Sequence, residues 1–198
     1  VQFFTWVGFY CMWLYTTAAI AENVYGTTDA ASKAFQDAGD WVGVMFTAYN
    51  LVSFAAAFLL PVLARKISRI WTHLISLVLG GAGLIMLVFI KDHQLLLVPM
   101  ILVGIAWAST LTIPYAILAG SLPAEKMGFY MGVFNFFIVI PQLVASLTVG
   151  PMIKHWFHDQ AIYALVFGGV CMVLAGFCNF LVDDTDDKLI AVSEITIG

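Results

Sequence analysis

The chain reads as an all-α membrane protein with six transmembrane helices. Composition says so first: 62% of its 198 residues are hydrophobic and 10% are charged, where a soluble domain carries about 25% charged residues. Mean hydropathy is +0.97. Segmentation says so again. Six apolar stretches, at about 2–21, 41–63, 71–90, 95–119, 128–150 and 161–182, each approach the roughly 20 residues that cross a bilayer as a helix. No Asp, Glu, Lys or Arg falls inside any of them.

The first stretch is apolar from Val1 onward, with no initiator Met, basic region or small-residue cleavage site. It is therefore expected to be a membrane span rather than a signal peptide, and the natural start of the chain is expected upstream. The loop from Glu22 to Asp40 is the longest, polar and rich in small residues. Asp40 precedes Trp41 and is expected to cap the second helix, with Trp41 as an interface anchor. The third stretch opens on Trp71, a second anchor, and carries Gly80, Gly81 and Gly83, which allow close helix approach. His73, like Glu22 and Asp40, sits at a span edge and is expected to face headgroups. The fourth and fifth stretches contain Pro114 and Pro141. Each proline removes a donor, from the carbonyls of Thr110 and Phe137, and marks a hinge. The sixth stretch ends at VDDTDD (182–187), and residues 183–198 are expected to be a solvated tail.

Basic residues set the orientation. With six spans, Arg65, Lys66, Arg69, Lys126 and Lys188 share one side, and Lys33, Lys91 and Lys154 share the other. The first side is expected to be cytoplasmic, and with it both ends of the chain. Cys11, Cys171 and Cys178 all lie in apolar spans, which excludes a disulfide framework or zinc site by spacing. No nucleophile–base pair, metal cluster or phosphate loop appears, and no basic stripe fits a nucleic acid. No catalytic residue, cofactor or metal is expected.

The polar residues inside the spans carry the functional signal. In GVFNFFIVIPQ (132–142), Asn135 and Gln142 stand seven residues apart, two helical turns, and Ser146 continues their face. Lipid cannot satisfy such a stripe; protein, water or a polar ligand must. In the second span Thr47, Asn50 and Phe54 share a face, with Tyr49 beside them. Trp107, Thr110 and Pro114 align in the fourth span, and Trp13, Thr16 and Thr17 in the first. Aromatic faces beside amides and hydroxyls suit a sugar, whose C–H surfaces stack on rings and whose hydroxyls bond to amides. The alternative is interhelical glue, at about 0.6 kcal/mol per bond.

Three blocks add a resemblance. GVFNFFIVIPQLVAS (132–146) resembles the signature helix of sucrose/proton symporters, close to GVLNxAIVIPQxxxS. GIAWASTLTIPYAILA (104–119) resembles the helix before it, and TWVGFYCMWLYTTAAIAENVYG (5–26) resembles the family's seventh helix and following loop. Their order and spacing also agree. The resemblance implies the carboxy-terminal six-helix half of a major facilitator fold, in the glycoside–pentoside–hexuronide/sucrose group. In that group substrate binds between two six-helix halves that rock to give alternating access. It implies a sugar, such as sucrose or maltose, and protons as substrates, with the bilayer and a missing amino-terminal half as partners. Asn135, Gln142, Asn50, Thr110 and Trp107 are then expected to line the cavity. The loop with Arg65, Lys66 and Arg69 resembles the family's cytoplasmic gating loop, with Pro61 and Arg65 where the usual Gly and Asp stand. Plant carriers have two aspartates where this chain has Thr16 and Ala18, so coupling is expected to rest on the other half. The chain looks closer to bacterial permeases of the group, which implies the bacterial inner membrane. An uncoupled or Na-coupled glycoside carrier, and a non-transporting sensor with the same fold, are the rival readings.

Overall fold

A computed structural model describes residues 1–184, apart from the side chain of Ala124. The acidic residues Asp186 and Asp187, Lys188 and the rest of the expected tail lie outside the described residues. The fold is all-helical: α1 (Gln2–Asn23), α2 (Lys33–Ile67), α3 (Arg69–Met86), α4 (Leu97–Gly120), α5 (Met127–Trp156) and α6 (Ile162–Phe177). Short 3₁₀ turns precede α4 and α5 and follow α6. All six helices are long and apolar enough to cross a membrane, α6 together with its 3₁₀ turn. Helix is the forced choice, because backbone groups in lipid must be satisfied within their own segment.

Glycines decide how the helices meet. A Cβ on Gly81 would lie 2.5 Å from the Gly169 carbonyl oxygen, and one on Gly169 would lie 2.6 Å from that of Gly81. This pair brings α3 and α6 into backbone contact. Gly8 and Gly168 do the same for α1 and α6, at 2.8 and 3.0 Å. On α4, Gly104 admits the Tyr49 carbonyl of α2 at 2.6 Å, and Gly83 of α3 admits the Pro99 carbonyl at 2.7 Å. Lipid tails are as apolar as leucine, so such close approach, rather than the hydrophobic effect, holds membrane helices together. The largest cluster of buried side chains, including Phe9, Met12, Met45, Leu84, Met100 and Met172, fills the spaces around these contacts.

Polar clasps fix both ends. At one end Glu22 accepts a hydrogen bond from the Ala161 amide at the start of α6 (3.2 Å), where a carboxylate suits the helix dipole. Lys91 bonds both the carbonyl and the side-chain oxygen of Asn23, and Trp41 Nε1 donates to the His93 carbonyl (2.6 Å). At the other end Arg69 binds the buried Asp184 carboxylate through two nitrogens, and its third nitrogen reaches the Ala116 carbonyl of α4 (3.4 Å).

Three sequence expectations are corrected. The second helix starts at Lys33, and its cap is Ser32, whose hydroxyl accepts from the Phe35 amide (3.2 Å). Asp40 lies a full two turns inside it. The polar residues between 33 and 40 hid the start, because they form a wet helical extension rather than a loop. At 35 residues, α2 is roughly 52 Å long, well beyond the roughly 30 Å hydrocarbon core. Second, α2 and α3 are joined by Ser68 alone, at φ +83°. This left-handed conformation is costly for a residue with a Cβ, and the Ser68 hydroxyl helps hold it by capping the Trp71 amide (3.3 Å). Third, His73 does not face headgroups: it is 1% exposed and packed inward.

The backbone contacts give a direct test. Gly169→Ala is expected to cost about 1–3 kcal/mol through overpacking, read as a lower midpoint of thermal unfolding in detergent. Gly39→Ala, where a Cβ meets only the Thr17 methyl at an ordinary 3.9 Å, is expected to bring no such loss.

Candidate functional site

Burial is divided unequally among the helices. Only 22% of the apolar stretch of α2, and of α5, is buried, against 50–56% for the other four. α1 packs against both α2 and α5, so the two bare helices flank it. The polar residues singled out from the sequence fall largely on these bare faces.

On α2, Asn50, Thr47 and Phe54 are exposed and Tyr49 is buried. The Asn50 amide nitrogen donates to the Phe46 carbonyl (2.8 Å), which leaves its oxygen free to accept. On α5, the buried edge is Pro141, Ala145, Val149 and Ile153. Asn135 and Ser146 are exposed, and Gln142 is half-buried. Gln142 donates to the Ile138 carbonyl (3.1 Å) and Ser146 to that of Leu143 (2.8 Å). Among the described residues the Asn135 amide has no hydrogen-bond partner. An exposed amide in the body of a membrane helix, with neither of its polar atoms paired, requires a polar neighbour.

Between the bare helices lies an aromatic cluster. Trp107 of α4 meets Trp13 edge-to-face at 5.3 Å, Phe9 at 4.9 Å and Trp6 at 5.8 Å. Trp13 Nε1 donates to the Tyr49 hydroxyl (3.3 Å), which ties α1 to α2. Trp13 and Trp107 stay half-exposed. Trp13, Asn50, Trp107 and Gln142 each stand near the middle of their helices. The arrangement is a half-open ring surface on α1 and α4, tied to α2 at the residue next to Asn50.

Thr110 does not join this surface. It is 0% exposed, and its hydroxyl bonds the Ala106 carbonyl of its own helix (2.8 Å). Thr16 is likewise buried, bonded to the Met12 carbonyl. Both helices run unbroken through Pro114 and Pro141. Neither nearby hydroxyl repairs the carbonyl freed by Pro114: that of Thr110 serves Ala106, and that of Ser109 serves His73. His73 Nδ1 lies 2.7 Å from Ser109 Oγ, and its Nε2 has no hydrogen-bond partner among the described residues. Nothing local in the sequence marks this buried pair beyond a histidine one turn into a helix. Of the basic loop residues, Arg69 is held by Asp184, while Arg65 and Lys66 are exposed. Among the described residues no cluster of three potential metal ligands occurs.

The family model of the Major Facilitator Superfamily matches residues 1–194. The chain belongs to the major facilitator superfamily. Membership makes it part of an integral multi-pass membrane protein of a transporter family, not of an enzyme. Similar proteins include the sucrose transport protein SUT5 of Oryza sativa subsp. indica and its counterpart in subsp. japonica. Each is 27% identical over 205 residues, covering 86% of this chain and 38% of the relative. The riboflavin transporter RibJ of Trypanosoma cruzi is 21% identical over 200 residues, covering 97% of this chain and 41% of the relative. The chain thus spans about two-fifths of the length of these curated relatives. No solved structure matches it.

The contrast between exposed amides and buried threonine can be checked chemically. In the full-length protein, Asn50→Cys and Asn135→Cys are expected to react with a membrane-impermeant maleimide. Thr110→Cys is expected to stay unlabelled unless the protein is denatured.

Proposed function

We propose that this chain forms the carboxy-terminal six-helix half of a secondary transporter that moves a sugar, such as sucrose or maltose, together with protons. The observation that carries the reading is the unpartnered Asn135 amide. It stands on one of two bare helices, with Asn50 on the other, and half-exposed tryptophans stand on α1 and α4. Amide groups would bond sugar hydroxyls, and the ring faces of Trp13 and Trp107 would stack on sugar C–H surfaces. Asn135, Gln142, Asn50 and Trp107 are the binding residues in this reading. Thr110 supports the helix instead. The IVIPQ block and the sucrose-transporter relatives support the sugar class.

Alternating access follows from the same asymmetry. The bare faces of α2 and α5 would meet a second six-helix half, and substrate would bind at the seam near mid-membrane. Pro114 and Pro141 serve as hinges, each leaving one helix carbonyl without its amide partner. The basic end of the bundle is cytoplasmic by the positive-inside rule, which puts both ends of this chain inside the cell. The bacterial inner membrane is the proposed location. None of the six apolar segments read from the sequence holds an Asp, Glu, Lys or Arg, so a carboxylate that binds the proton would belong to the other half.

A second reading keeps the site and changes the solute. The riboflavin-transporter relative and the aromatic cluster favour a planar ring system stacked on Trp107. Competition separates the two, and Asn135→Leu tests the site they share. For a sugar it is expected to raise the apparent KM about three- to ten-fold at unchanged surface expression, the loss of one neutral hydrogen bond. Riboflavin that competes with sucrose uptake far better than maltose does would favour the second reading. An unchanged KM would remove Asn135 from the site.

A further inference from the structure

We propose that the corner between α2 and α3 binds an anionic phospholipid of the surrounding bilayer. Ile67, Trp71 and Ile75 line a shallow groove of about 360 Å³ there. Ile67 ends α2 while Trp71 and Ile75 belong to α3, so the apolar edge runs across the Ser68 junction. Trp71 is 49% exposed and packs edge-on against Phe180 at 5.3 Å. Phe180 and Leu181 are exposed too, so the apolar surface continues onto the turn after α6.

Arg65 and Lys66 immediately precede this groove and are exposed. Among the described residues neither has an ion-pair or hydrogen-bond partner. Arg69, three residues on, is already committed to Asp184. Two unmatched cations therefore border an apolar groove at the level where a tryptophan marks the membrane interface. The combination calls for a molecule with a negative head and a long apolar chain, and the bilayer supplies one. A zwitterionic headgroup would bring its own cation beside Arg65 and Lys66, and a free phosphate would leave the groove bare. Basic pockets beside spans on the cytoplasmic side attract such headgroups.

The site tests directly in the full-length protein reconstituted into phosphatidylcholine vesicles. The readout is the tryptophan fluorescence that Trp71→Phe removes. Brominated-chain phosphatidylglycerol is expected to quench it at roughly five-fold lower mole fraction than brominated-chain phosphatidylcholine. That preference is expected to fall to parity in Arg65→Gln/Lys66→Gln. It should also weaken in the unaltered protein at 1 M salt, where the screening length drops to about 3 Å. Equal quenching by the two lipids, or a preference that survives the double substitution, would overturn the proposal. Absence of quenching by either lipid would also overturn it, because the groove would then be covered by protein.

Discussion

Backbone-to-backbone contact through glycine is the constraint on which the rest of this structure depends. α3 and α6 touch at Gly81 and Gly169, and α6 touches α1 at Gly8 and Gly168. In a bilayer these contacts cannot be replaced by larger apolar side chains, which lipid would solvate equally well. They pull α1, α3 and α6 into a tight stack, with α4 seated on α3 through Gly80 and Gly83. The polar clasps at both ends then fix rotation and register, Glu22 on α6 at one end and Arg69 on Asp184 at the other.

The stack leaves α2 and α5 at its flanks, and their bareness follows from it. Among the described residues α5 has few partners beyond α1, and two of its three glycines, Gly128 and Gly132, face open space. Those glycines do not pack within this bundle. The same helix carries Asn135, Gln142 and Ser146 on its uncovered side. A helix that spends its small residues and its amides on an unfilled face is built to meet something outside the six-helix bundle. In the proposed function that is a second half and a solute between the halves.

Much of this was legible in the sequence, for identifiable reasons. Long uncharged runs are unambiguous, so the six helices could be read from hydropathy alone. The two-turn spacing of Asn135 and Gln142 sets their common face by helix geometry alone. Other features depended on tertiary neighbours. Thr110 shares a face with Trp107, yet only the packing of α4 shows that one is buried and the other half-open. His73 looked like an edge residue because its partner, Ser109, is 36 residues away. The start of α2 was missed because Lys33, Gln36, Asp37 and Asp40 look like loop, although a helix outside the hydrocarbon can be polar. The Arg69–Asp184 clasp spans 115 residues and left no local trace.

The central claim is that a chain with uncharged spans forms half of a sugar/proton symporter whose coupling lies in its partner half. Uptake of labelled sucrose by vesicles containing the full-length protein tests it, with and without an imposed inward proton gradient. Proton-coupled symport predicts accumulation above the external concentration with the gradient, abolished by a protonophore. Uptake that only equilibrates, whatever the gradient, would contradict it.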